Sequence, residues 1–204
     1  MNHTEQMFRL DGLADGDVVG FSGQGFVSDA INVGTYGVPR WGLSHIGIVS
    51  TYRGERYLFE STSLNDDPCA ILRKPISGVQ AHKIKHLLTR PGKVWRYPLQ
   101  DRILKTSGVK LNLVLLDLNL VLLDQLGVKY DYLGAARSGG FLLRIIKSCT
   151  RQQNLDKLFC SELVAHALTQ IGVTHINNSS AQSPNSLARR LKRKGICKPR
   201  IRIK

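Results

Sequence analysis

The sequence predicts an α+β domain in which helices pack on one side of an antiparallel sheet. Three observations carry this. Short strand-like segments bounded by glycine turns gather in the first hundred residues. Helical spacing of apolar residues appears only afterwards, at 111–126 and 159–171. Strands followed by helices, rather than strands alternating with them, is the order of an α+β fold. At 204 residues, the chain is long enough for one domain with a substantial core.

The elements follow in order. "LADGDVVGFSG" reads as a turn, a strand at Asp17–Phe21 and a glycine-rich loop. "FVSDAINVGTYG" is a short helix or an irregular segment. "SHIGIVSTYRGERYLFESTS" reads as two strands around a tight turn at Arg53-Gly54. "DDPCAILRKPISGVQAHKI" mixes short extended pieces with turns, and "GKVWRYPL" is a further strand. Residues 111–126 carry leucine and valine around most of a helix, which predicts a well-buried helix ended by Gly127. "KYDYLGAARSGG" and the apolar "FLLRII" come next. In the helix over 159–171, Phe159, Leu163, Val164, Ala167, Leu168 and Ile171 share a face, and Gly172 closes it. Ser183 and Pro184 are placed to cap and open a last helix. "PRIRIK" is a candidate final strand.

Charge is the unusual part of the composition. The net charge is +14, Glu162 is the last acidic residue, and "LARRLKRKGICKPRIRIK" is densely basic. Such a segment is attracted to nucleic acid, anionic lipid or an acidic partner, or simply solvates the chain. The start, "MNHTEQMFRLDGLADGD", lacks the apolar core of a secretory signal. The apolar stretch at 111–127 is interrupted by Asp117, Asn119 and Asp124 and falls short of the roughly 20 residues that span a bilayer. A chain without an export signal or membrane span is expected.

Cys69, Cys149, Cys160 and Cys197 form no zinc spacing. Cys160 differs from the others because it opens a predicted helix. Unpaired N–H groups and the helix dipole favour a thiolate there, and the same N–H groups suit an oxyanion. A nucleophile also needs a base. His166 lies six residues on, round the helix. His3, His82 and His86 sit in polar, loop-like sequence, and His175 lies beyond the helix. His45 instead opens an apolar strand. If Arg53 and Gly54 are the turn residues, facing positions sum to 107, since Tyr52 faces Glu55. Gly47 then faces Glu60, and His45 shares their face. Glu60 becomes the diagonal neighbour of His45, with a glycine leaving the path open. A carboxylate there fixes the imidazole tautomer, as the third member of a triad does. A packing cysteine and a structural strand histidine remain the alternative.

The motifs "SHIGIV", "YLFEST", "GVKYDY" and "FCSELVAHAL", with "DGDVVGFSG" and "SPNSLARRL" near the ends, resemble the permuted papain-like amidases of the NlpC superfamily. The resemblance is to the YiiX/YebB-like group, relatives of lecithin retinol acyltransferase-like enzymes. In that group the histidine strand precedes the cysteine helix, as here. The resemblance implies a circularly permuted papain-like fold over about residues 11–191, between an extension at 1–10 and a basic tail at 192–204. It implies Cys160 as nucleophile, His45 as general base and Glu60 as its orienting group. Tyr130, in the "YD" element, borders the site, and Asp17, in the "GD" opening, lines the pocket. Neither a metal nor an organic cofactor is implied.

The expected function is that of a cysteine hydrolase: an amidase or peptidase, or a thioesterase or acyltransferase. The expected substrate is a peptide amide or a lipid ester, with an anionic lipid, wall polymer or nucleic acid as possible partner of the basic end. Group members often carry an export signal and lack this basic end, so a cytoplasmic or phage-encoded protein is expected. The competing function is an inactive papain-like module that binds nucleic acid or anionic membrane through its C-terminal residues. A metal centre built on Cys160 and His45 is disfavoured, because structural zinc takes four ligands.

Overall fold

A computed structural model describes residues 3–22, 42–62, 67–100, 111–130, 157–176 and 182–204. Cys149, Asp131, "FVSDAINVGTYG" and "FLLRII" lie outside these. Helix α1 (His3–Asp11) leads into β1 (Val18–Ser22), β2 (His45–Tyr52), β3 (Glu55–Thr62) and β4 (Gly78–Lys83). A 3₁₀ turn (Ile84–Leu88) precedes β5 (Lys93–Tyr97). Helix α2 (Leu111–Asp124), the short strands β6 (Lys129–Tyr130) and β7 (Lys157–Leu158), helix α3 (Cys160–Gln170), helix α4 (Pro184–Arg193) and β8 (Ile201–Arg202) complete the described chain.

The strands form one sheet in the order β7-β6-β4-β3-β2-β1-β5-β8. Its pairs are antiparallel except β6 with β7. The β2–β3 turn takes Arg53 and Gly54 to φ of 50° and 79°, the pair of positive values that a two-residue hairpin turn requires. Tyr52 pairs with Glu55 and Ile48 with Phe59, which is the register inferred from the sequence.

Alternation along the strands divides the apolar residues between two faces. Val18, Ile46, Ile48, Phe59, Val79 and Ala81 join the core shared with α2, α3 and α4. Leu163, Val164 and Leu168 of α3 are fully buried there, each worth about 1.5–3 kcal/mol in apolar burial. Val19, Phe21, Val49, Leu58 and Val94 face the other way and pack with Leu10 and Leu13, with Ile84 and Leu87, and with Ile203. The sheet is therefore covered on both sides, not one. Helix α1 supplies Leu10 to the second core, a role its polar sequence concealed.

A further expectation is corrected. Among its described side chains, helix α2 fully buries the stripe Val114, Leu118 and Leu122, while Leu113, Leu116 and Leu120 are 50–57% exposed. Its polar Asn119 is not an interruption: Nδ2 donates to Ser50 Oγ at 3.2 Å and to the Thr51 carbonyl, tying the helix to β2. Within the basic C-terminal residues, "PRIRIK" supplies the final strand read from the sequence. Strand β8 pairs with β5, Ile203 is fully buried, and the Arg200 guanidinium lies 4.2 Å from the Trp95 ring centroid. No helix among the described residues is long and apolar enough to cross a membrane.

Gly47 shows how tightly the hairpin is closed. A Cβ at this position would lie 2.8 Å from Leu58 Cδ1 and 2.8 Å from the Phe59 carbonyl oxygen. Backbone cannot yield as a flexible side chain can. Gly47→Ala is expected to lower stability by about 1–3 kcal/mol, read as a fall in the urea midpoint at constant slope.

Candidate active site

Helix α3 begins at Cys160, with Phe159 as an N-cap in extended conformation and no side-chain cap. Glu162 and Leu163 are the first residues whose N–H groups bond back to the Phe159 carbonyl, at 3.0 Å. The N–H groups of Cys160 and Ser161 precede that ladder and belong to the helix's positive end. Cys160 itself is 6% exposed. Strand β7 delivers the chain to this point. Tyr130 pairs with Leu158, two residues before Cys160, so Tyr130 stands beside the start of the helix.

His45 is the first residue of β2. Its position opposite Phe21 puts the two rings 5.5 Å apart, tilted by 43°. Nε2 donates to Glu60 Oε2 at 2.6 Å, which leaves Nδ1 as the nitrogen that can exchange a proton with Cys160. Burial disfavours the charged imidazole, but the interaction with Cys160, a hydrogen bond to its side chain and the bond to Glu60 outweigh burial and push His45 up to about 9. The His45 side chain keeps 23% of its surface exposed, so the pair is reachable from outside.

Glu60 has no solvent exposure, and four hydrogen bonds fill its two oxygens. Oε2 accepts from His45 and from Arg90 Nη1 at 2.6 Å. Oε1 accepts from His82 Nδ1 at 2.7 Å and from Arg90 Nη2. Burial works to raise the carboxyl, but the bonds from Arg90, His45 and His82 hold it well below the usual carboxylate range. A carboxylate has about four acceptor sites, so none is left over. The lone pairs of Glu60, and the N–H groups of both histidines facing it, are thus spent within this cluster.

The structure therefore brings together Cys160, His45 and Glu60, and sets Tyr130 nearby. It does not bring Asp17 to them. Asp17 accepts from the Ala14 and Leu99 N–H groups at 2.8 and 3.1 Å and from Arg96 Nε at 2.6 Å. Burial raises its carboxyl against these partners, and the residue fastens the turn before β1 to β5. His82 is a correction of the opposite kind. It is buried in β4, not in a loop, and its Nε2 faces the Asp67 carbonyl oxygen at 3.3 Å. Its signal in the sequence was parity, since His82 pairs with Leu58 and so shares the face of Glu60. Arg90 had no such signal, because it reaches the sheet from the loop after the 3₁₀ turn.

The other described cysteines are packing residues. Cys69 and Cys197 are buried free thiols. Burial, with the nearby Asp17 charge, pushes Cys197 up to about 12, which leaves it protonated and inert.

No protein-family model and no curated protein matches the chain. Among solved structures it is similar to the metalloprotein YiiX from Escherichia coli O157:H7 (DUF1105), with 18% identity and a TM-score of 0.48. The match covers 76% of this chain and 64% of that protein's length.

The approach to His45 is fixed by α4. Asn185 Oδ1 accepts from the Leu43 N–H at 2.7 Å, and its Nδ2 donates to the Leu43 carbonyl at 3.0 Å, both buried. Asn185→Ala leaves both backbone groups unpaired. A loss of about 2–4 kcal/mol is expected, measured by chemical denaturation.

Proposed function

We propose that this chain is a cysteine hydrolase or acyltransferase with a permuted papain-like order of catalytic residues. Cys160 is the nucleophile, His45 its acid–base partner and Glu60 the group that orients His45. The observation that supports this reading best is the position of His45, hydrogen-bonded to Glu60 through one ring nitrogen while its ring also engages the Cys160 side chain. A packing cysteine has no need of a charged imidazole beside it.

The chemistry follows from these positions. The thiol proton resides on His45, so Cys160 Sγ carries the electron pair that attacks a carbonyl carbon. The carbonyl π pair moves to oxygen, and the N–H groups at the start of α3 stabilise the oxyanion. On collapse, the bond to the amine or alcohol breaks, and His45 gives its proton to that leaving group. A water or an acceptor alcohol or amine then enters. His45 takes its proton, the thioester breaks, and the thiolate–imidazolium pair returns. Peptide amides and lipid esters both fit this sequence of steps.

The test is alkylation followed by turnover. Iodoacetamide is expected to label Cys160 faster than Cys69 or Cys197 at pH 6–7, and His45→Ala should slow Cys160 labelling by about 10-fold or more, in line with the usual worth of a positioned base. Against a panel of activated amides and esters, Cys160→Ser should abolish turnover and His45→Ala reduce kcat/KM by about 10²–10⁴-fold. Slow labelling of native Cys160, equal to that of Cys197, would remove the enzyme reading.

A further inference from the structure

Arg90 has no place in a three-residue scheme, yet it makes the closest engagement with Glu60. Both of its terminal nitrogens bond the carboxylate, one to each oxygen. Such two-pronged pairing fixes the plane of the carboxylate as well as its charge. The same guanidinium lies 5.1 Å from the centroid of the Phe21 ring, and Phe21 in turn packs against the His45 ring. Arg90 thus reaches His45 by two routes, through the carboxylate and through the aromatic ring.

The loop that carries Arg90 is itself held from behind. Lys204 Nζ donates to the Leu88 carbonyl at 2.7 Å and to the Arg90 carbonyl at 2.6 Å. The Lys204 backbone N–H and carbonyl both pair with Val94, at 3.3 and 3.2 Å, and neighbouring Ile203 is fully buried. A cation on the segment after β8 therefore fastens the backbone on which the site's own cation sits.

We propose that Arg90, seated by Lys204, is the positioning residue of this site: it makes Glu60 a permanently ionised but charge-balanced acceptor and so sets the direction in which His45 faces Cys160. This rests on the catalytic reading of Cys160 and His45 given above. With Arg90 in place, the carboxylate charge is matched by a group that does not titrate below pH 12. Glu60 then acts on His45 as an oriented acceptor, and the imidazolium is balanced by the Cys160 thiolate. Without Arg90, the groups facing Glu60 are His45 from β2 and His82 from β4, with the Asp67 carboxylate further out near Arg90. A buried carboxylate in that company draws a proton from solvent onto itself or onto a histidine.

The experiment is the pH profile of Cys160 alkylation by iodoacetamide from pH 5 to 9, in the full chain. Arg90→Met is expected to add one ionisation to the wild-type profile between pH 5 and 8 and to lower the plateau rate about 10-fold. Arg90→Lys restores the charge without the fork, so the profile should regain its wild-type shape with a rate still about 3-fold low. Loss of folding instead gives Cys160 the profile of a free thiol, rising toward about 8.5; thermal unfolding of each variant identifies that case, and Arg90→Lys then carries the test. Wild-type behaviour in both variants, alongside slowed labelling in His45→Ala, overturns this inference and leaves the catalytic pair standing. Unchanged labelling in His45→Ala overturns the catalytic reading itself.

Discussion

A carboxylate with no access to water sits on the middle strand of a three-strand patch at Glu60, and the rest of the site is arranged around its charge. Removing an ion from water costs several kcal/mol even after relaxation, and only close, well-directed partners offset that. Here the partners come from three directions: His45 on β2, His82 on β4 and Arg90 from the loop before β5. Each also has a reason to be where it is that does not depend on chemistry. The two histidines occupy positions on one face of the sheet, and Arg90 is brought in by a loop that Lys204 clips in place.

The constraint propagates to Cys160 through His45. Because Glu60 accepts a hydrogen bond from the Nε2–H group, the orientation of the ring follows from the hairpin register and not from the cysteine. Helix α3 brings its N-terminus to the other ring nitrogen, held there by the apolar core on one face of the sheet. The polar cluster occupies the opposite face, and His45, at the very start of its strand, is the link between them. Precision at the thiol is thus produced by two cores packed on one sheet. The Asn185 clamp on Leu43 matters for the same reason, since it sets the path by which the chain enters β2.

Much of this was legible in the sequence wherever local rules decide the outcome. A two-residue turn at Arg53-Gly54 fixes every pairing in the hairpin, so the relation of His45 to Glu60 followed from arithmetic. Helical spacing and Gly172 located α3 and put Cys160 at its start. Legibility ended where tertiary contacts decide. His82 stands in a polar stretch, and only the pairing of β4 with β3 turns it into a core residue. Arg90 reaches Glu60 from 30 positions away out of a loop with no periodicity. The apolar surface of α2 gave no indication of which leucines would face outward, because a helix hydrophobic nearly all round has no preferred side. Asp17, buried by its own hydrogen bonds to Ala14, Leu99 and Arg96, shows the converse: a polar residue in a glycine-rich opening serves the turn and not the site.

The central claim is that His45 carries a proton because Cys160 has released one. The direct measurement is NMR of the His45 imidazole nitrogens from pH 5 to 10, in the native chain and in Cys160→Ala. In the native chain the ring should remain an imidazolium through neutrality and titrate near 9. In Cys160→Ala, with the thiolate gone and burial still opposing charge, the transition should move down by a unit or more. A His45 that titrates near 6.5 in both proteins, the ordinary value for histidine, would contradict the account, because the thiol and the imidazole would then be neighbours without being a pair.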